Sequence, residues 1–304
     1  MRKVAVIGMG NVGAAVAHHL VVGGHVDDLY LYDVNEAKVK ADALDFEDSM
    51  DNMPSNVNIT VNDYDALKDV EVIVSALGNI KLLDVPNPDR FAELNHNRVQ
   101  VAEVGAKIKA SGFNGVLIDI TNPCDAICQL YHEATGLPYE RIIGTGTLLD
   151  SARLHRAVAK FFGVHPKSVK GYSLGEHGDS QFVAWSTVKV LEQPITELVK
   201  EKDIDLDAID DETREGGFTI FYGKKYTNYG IATAAVRLVN AVLSDSKEQM
   251  PVSNYCEEYH SYLSYPAIVG RSGILQQCQL DLTEEELKKL QNSADTILSK
   301  AQAK

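Results

Sequence analysis

Residues 8–13 read GMGNVG. Glycines at this spacing mark a backbone that turns sharply and must let something approach closely. The flanking residues say what the turn connects. KVAVIG (3–8) is a short β-branched run, and Gly13–Val22 has helical apolar spacing. A strand, a glycine turn and a helix in that order commit the start of the chain to parallel strands with helical crossovers. The glycine spacing alone is a weak signal. It gains weight from Asp33, which follows twenty residues after Gly13 and closes a second β-branched run, DLYLYD (28–33). That context is a dinucleotide fingerprint. Gly8 allows the tight turn, Gly10 lets the backbone reach a pyrophosphate, and Gly13 lets helix and strand pack closely. Asn11 and Val12 open the helix, where unpaired N–H groups favour phosphate. Asp33 can accept from ribose hydroxyls and would repel a 2′-phosphate, and Val34, Asn35 and Glu36 supply no cation to offset that. The expected cofactor is therefore NAD.

The alternation continues. Further strand patterns are NVNITV (56–61), VEVIVSALG (70–78), NGVLIDI (114–120) and ERIIGTG (140–146), with helical patterns at Glu36–Met50 and Phe91–Ala110. Near-continuous apolar strands suit a sheet buried on both faces. The expectation is a Rossmann-type, doubly wound parallel sheet. After about residue 145 the rhythm changes. A helix pattern, LLDSARLHRAVAKFFG, leads into longer strands, KGYSLGEHG and QFVAWSTVKVLEQ, which read as antiparallel. A polar helical stretch (203–216), a helix near 227–244, and strand candidates at 251–256, 262–269 and 273–280 follow. The final helix opens with a capping box, Thr283 with Glu286 three residues on. The predicted division is an NAD-binding α/β domain over 1–145 and an α+β substrate domain over 146–304, packed with the site between them. The acidic run EKDIDLDAIDDETRE (201–215) reads as a solvated helix face.

Composition narrows the function classes. The chain has 304 residues, 45% of them hydrophobic, and a formal net charge of −14 with a pI near 5.1. An acidic surface repels phosphate backbones, so nucleic acid is not an expected partner. No apolar run is long enough to span a bilayer, and VAVIG is too short for a signal-peptide core. Four cysteines in a chain of this length fit a reducing cytoplasm. Cys124 and Cys128 lie four apart in a helical pattern, but only His132 is near as a further ligand. Buried thiols explain the pair better than a metal does, and none is expected.

Three stretches carry polar groups suited to chemistry. TNPCD (121–125) puts Asn122 at the end of a strand, where ligands bind in such sheets, although a lone Asn-Pro is more often a turn. LLDSAR (148–153) puts Asp150 and Arg153 on one helix face. By itself that pair is an ordinary ion pair. GEHGDS (175–180) places His177 in a glycine-flanked turn. An aspartate that accepts from one imidazole nitrogen fixes the tautomer and leaves the other nitrogen for proton transfer.

GxGxxG with Asp33, Arg90 before a helix, Asn122-Pro123, LLDSAR and GEHGDS occur here in an order that resembles the lactate and malate dehydrogenase family of L-2-hydroxy-acid dehydrogenases. The resemblance covers nearly the whole chain, and GTGTLLDSAR and GEHGDSQFVAWS are highly specific to that family. It implies a lactate dehydrogenase-like fold and an NAD-dependent oxidoreductase. By the same resemblance His177 is the acid and base, Asp150 holds it, and Arg153 grips the substrate carboxylate. Arg90 polarises the carbonyl, Asn122 orients the substrate, and Thr227 lines the substrate pocket. Asn122 and Lys81 would also touch the cofactor. A non-catalytic NAD-binding protein would have to lack one of these groups, and none is missing.

Relatives choose their substrate through the loop after the fourth strand, here GNIKLLDVPNPDR. Dicarboxylate users carry an extra arginine in it. This loop has none between Lys81 and Arg90, and it is long and apolar (Leu82, Leu83, Val85). The expected substrate is a bulky 2-oxo acid such as 2-oxoisocaproate, with pyruvate as the alternative and oxaloacetate less favoured. The sugar-bisphosphate site of some relatives would fall at His155 and Lys170. That pair differs from the family's, so no such activation is expected. The resemblance also implies a homo-oligomer, with a tetramer favoured.

Overall fold

The computed structural model describes residues 1–79, 90–201 and 204–302. Six parallel strands build the first half: β1 (Lys3–Ile7), β2 (Asp28–Tyr32), β3 (Asn58–Val61), β4 (Val72–Ser75), β5 (Val116–Asp119) and β6 (Ile142–Gly144). Between them run α1 (Asn11–Val22), α2 (Glu36–Ser49), α3 (Arg90–Ser111) and α4 (Cys124–Thr135). Each strand pattern expected in this half is present, trimmed at its ends. β4 is buried throughout, as its unbroken apolar run requires.

The second half contains α5 (Leu148–Phe162), a small antiparallel sheet of β7 (Val169–Leu174), β8 (Phe182–Val190) and β9 (Gln193–Pro194), then α6 (Ile195–Glu201), α7 (Leu206–Lys224) and α8 (Tyr229–Ser244). β10 (Glu248–Cys256), β11 (Ser261–Gly270), β12 (Gly273–Gln277) and α9 (Glu284–Gln302) follow. Two expectations need correcting here. The helical pattern at 203–216 extends to Lys224, because apolar Phe218 and Phe221 continue it past the acidic run. The strand expected through GEHG stops at Leu174, and residues 175–181 form a loop.

The last three strands do not form a sheet of their own. β10 pairs antiparallel with β6 through Ser253 and Gly144, and one nine-stranded sheet runs β12-β11-β10-β6-β5-β4-β1-β2-β3. The expected boundary near residue 145 therefore falls at a strand in the middle of this sheet. One face is covered by α1 and by α8 from the second half, with Val16, Leu20, Ala235 and Val239 against Val4, Leu29 and Val252. The other face carries α3 and α4, through Ile108, Ile127 and Tyr131. Each fully buried side chain of this size contributes roughly 1.5–3 kcal/mol, so the two halves share a core as well as a sheet.

α9 begins as its capping box predicts. Thr283 accepts the Glu286 N–H at 3.2 Å, and Glu286 accepts the Thr283 N–H at 2.9 Å. Glu286 also accepts from Ser186 of β8, through its N–H at 3.0 Å and its hydroxyl at 2.6 Å. The cap thus fastens α9 to the small sheet. Among the described residues no helix is long and apolar enough to cross a membrane.

Candidate active site

The glycine turn has the geometry its spacing implies. Gly8 has φ +93°, and a Cβ there would lie 2.5 Å from the Ala76 carbonyl oxygen. A Cβ on Gly13 would lie 1.8 Å from the Gly8 carbonyl oxygen, so this glycine sets how closely α1 meets β1. Gly10 differs. A Cβ there would meet nothing within 4 Å, so close packing inside the protein does not require this glycine. Gly10 caps α1 without any side-chain hydrogen bond. It borders a cleft of about 790 Å³ lined also by Asn11, Gly78, Asn79 and Tyr229. Asp33 accepts the Met9 N–H at 2.7 Å and the Asn35 N–H at 2.8 Å. Each oxygen keeps a lone pair for a ribose hydroxyl. The first cation on α2, Lys38, is paired with Asp42 at 2.5 Å. An open anion-binding helix start beside a held carboxylate fits a dinucleotide.

α5 and the 175–181 loop bring the second group together. His177 Nδ1 lies 2.7 Å from Asp150 Oδ2, and Arg153 donates to Asp150 Oδ1 at 2.9 Å. Asp150 is 3% exposed. Burial pushes its carboxyl up, but the His177 and Arg153 charges and hydrogen bonds outweigh it and hold the carboxyl below its ordinary range. The reverse applies to His177. Burial alone would lower its pKa, and the Asp150 charge and hydrogen bond, with a further contribution from Asp125, raise it above the usual value. The Asp150 contact occupies Nδ1 and leaves Nε2 as the nitrogen free to meet a ligand.

The other expected residues stand as follows. Asn122 is exposed at the end of β5, after which Pro123 leads into α4, and its carbonyl accepts from Asn97 of α3 at 2.6 Å. Thr227 lies in the short connection between α7 and α8, half-buried. Arg90 is the first residue of α3, but its side chain lies outside the described residues, as do Lys81, Leu82, Leu83 and Val85. α7 passes over Arg153 at a glycine, and a Cβ on Gly217 would be 3.5 Å from that guanidinium. His155 and Lys170, where the sugar-bisphosphate site of some relatives would fall, each have a partner within this chain. His155 Nε2 meets the Gly171 carbonyl at 2.9 Å, and Lys170 pairs with Glu192 at 2.6 Å.

The cysteine pair needs one correction. His132 does not join it, since its Nδ1 meets the Leu137 carbonyl at 2.8 Å and its ring stacks on Tyr139. Asp119 comes near instead, placing one ligand atom from each of Asp119, Cys124 and Cys128 within 4.8 Å of one another. All three are buried. Burial drives the Asp119 and Cys128 pKa values well above their ordinary ranges, and the Cys124 thiol is also raised.

Sequence reading missed the residues that hold the His177 loop. Asp125 accepts the His177 main-chain N–H at 2.8 Å and the Ser253 hydroxyl at 2.6 Å. Glu176 is 3% exposed, accepts the Ser180 hydroxyl at 2.6 Å, and pairs with Lys300 of α9. Gly175 exchanges backbone hydrogen bonds of 3.0 and 2.8 Å with Ser264 of β11. Asp125 was visible only as an acidic residue near a helix start, a position that favours acids for reasons unrelated to function.

Comparison with known proteins agrees along the whole chain. The model of the lactate/malate dehydrogenase NAD-binding domain matches residues 2–144, and that of the family's α/β C-terminal domain matches 147–304. L-lactate dehydrogenase 3 of Bacillus cereus is 33% identical over 305 residues, covering 97% of this chain and 96% of that one. The L-lactate dehydrogenase of Halalkalibacterium halodurans is 35% identical over 301 residues, covering 97% and 95%. Among solved structures, MGS-M5, a lactate dehydrogenase from a Medee basin deep-sea metagenome library, superposes with a TM-score of 0.91 at 32% identity, covering 99% and 98%. The lactate dehydrogenase of Cryptosporidium parvum, complexed with lactic acid and nicotinamide adenine dinucleotide, gives 0.92 at 29% identity, covering 99% and 96%.

Proposed function

The chain belongs to the lactate/malate dehydrogenase family, and from that premise we propose that it interconverts a 2-oxo acid and the matching L-2-hydroxy acid at the His177 site. It is an NAD-dependent oxidoreductase of that family. The observation that carries the site assignment is the shared carboxylate of Asp150, bonded to His177 at 2.7 Å and to Arg153 at 2.9 Å.

The bonding supports the roles of His177 and Arg153, and the family resemblance supports those of Arg90, Asn122, Thr227 and Lys81. With Nδ1 held by Asp150, His177 gives the proton on Nε2 to the substrate oxygen during reduction and takes it back during oxidation. Bound at the glycine turn, NAD supplies or accepts the hydride. Arg153 meets the substrate carboxylate through the guanidinium N–H groups not turned to Asp150, a two-pronged contact that ammonium cannot reproduce. Arg90, at the start of α3, polarises the carbonyl. Asn122 orients the oxygen, Thr227 lines the pocket, and Lys81 contacts the cofactor.

Two readings of the substrate remain, each with support. The relatives are named L-lactate dehydrogenases, which supports pyruvate. A larger side chain is supported by the long apolar loop and by a resemblance to L-2-hydroxyisocaproate dehydrogenase in LGNIKL, DRFAEL and GTGTLLD. The same proposal includes a cytoplasmic homo-oligomer, with a tetramer favoured.

The test is kcat/KM for NADH-dependent reduction of pyruvate, 2-oxoisocaproate, phenylpyruvate and oxaloacetate. A tenfold lead for either bulky acid, about 1.4 kcal/mol, selects the larger pocket. A lead for pyruvate selects a lactate dehydrogenase. Turnover of none of them would end the assignment.

A further inference from the structure

Asp125 stands out among buried groups to which the mechanism above gives no task. It lies in the first turn of α4, 2% exposed, with both oxygens engaged. Oδ1 accepts from Ser253 of β10 at 2.6 Å, and Oδ2 accepts the main-chain N–H of His177 at 2.8 Å. A carboxylate costs several kcal/mol to bury and is retained only where partners compensate it. An apolar residue or an asparagine at this place would close the helix end at less cost.

We infer that Asp125 is a positioning residue for proton transfer, fixing the His177 backbone from below and supplying a second negative charge that keeps its imidazole protonated. The inference rests on His177 as the proton carrier. The charges that face the ring among the described residues come from three elements. Asp150 and Arg153 on α5 oppose one another, one an anion at 2.7 Å from the ring and the other a cation bonded to that anion. Glu176, on the same loop, is paired with Lys300 of α9. Asp125 on α4 has no cationic side chain bonded to it, only the Ser253 hydroxyl and the His177 amide. Its charge therefore adds to that of Asp150, which Arg153 partly offsets. Burial pushes its own carboxyl up to about 6, with Ser253 and His177 opposing that. It is therefore ionised at neutral pH, where reduction needs a protonated histidine.

The experiment is a histidine NMR titration, with the His177 resonance assigned by its loss in H177Q. Asp125→Asn keeps an acceptor for the His177 N–H, removes the charge, and turns the Ser253 hydroxyl from donor to acceptor. The expected result is a fall in the His177 pKa of about half a unit or more. The alkaline limb of kcat/KM for 2-oxo acid reduction should move down in pH by the same amount, with the melting temperature nearly unchanged. A folded variant whose His177 titrates as in the parent protein overturns the inference. If Asp125→Asn does not fold, the reciprocal measurement replaces it. The Asp125 carboxyl should titrate at higher pH in H177Q than in the parent protein, and an unchanged value overturns the inference. Neither titration needs turnover. A shifted His177 in a protein that reduces no 2-oxo acid would uphold the coupling and sink the dehydrogenase reading.

Discussion

Asp119 and Asp150 show how differently two buried carboxyls behave. Asp150 has an imidazole and a guanidinium, and it stays charged. Asp119 is 0% exposed, and its Oδ2 has no hydrogen-bond partner. Burial raises its pKa well above the ordinary range, with bonds from Thr121 and Ser75 working against it. A carboxyl raised in the fold contributes fully below its unfolded pKa, about 3.9. That contribution is lost as pH rises towards the folded value. Asparagine has no such titration. The stability of Asp119→Asn relative to the parent should therefore improve as pH rises from about 4, by at most about 1.4 kcal/mol per pH unit. Thermal melts at rising pH check this, and a constant difference would mean that Asp119 is ionised in the folded protein.

At the scale of elements, the glycine turn separates folding from binding. A Cβ on Gly13 would overlap the Gly8 carbonyl, whereas one on Gly10 would enter open space. Gly13→Ala should lose stability, by several kcal/mol or to the point of not folding. Gly10→Ala should melt like the parent yet bind NADH at least about tenfold more weakly, about 1.4 kcal/mol, because its methyl group occupies the phosphate approach. Calorimetric titration with NADH decides, and unweakened binding would move the cofactor away from this turn. These positions were legible from sequence because a strand, a turn and a helix are local. So was the Asp150–Arg153 pair, at i, i+3. Asp125 and Lys300 were not, since they reach the His177 loop across 52 and 124 residues. The placement of β10–β12 was hidden for a related reason. Their alternation marks them as strands but carries no information about which strand they pair with.

For the whole molecule, the shared sheet outweighs the division at residue 145. α8 packs on strands of the first half, and β10 extends them. Unfolding should be a single calorimetric transition with equal calorimetric and van't Hoff enthalpies. Two resolved transitions would show that the halves are separately stable after all.

The pairing of Gly144 with Ser253 also bears on how the protein is made. A growing chain emerges from its N-terminus, so the first six strands are synthesised before α8 and β10, which complete their core and their sheet. His177 emerges in the middle of that process with its loop unsecured. The groups that secure it from the distal end, Ser253 through Asp125, Ser264 through Gly175 and Lys300 through Glu176, all appear later. Closing a loop of this length is slow compared with local folding. The cleft beside Gly10 waits on the same late segments, since Tyr229 of α8 forms part of its wall, so a stalled chain would have neither a finished cleft nor a secured His177.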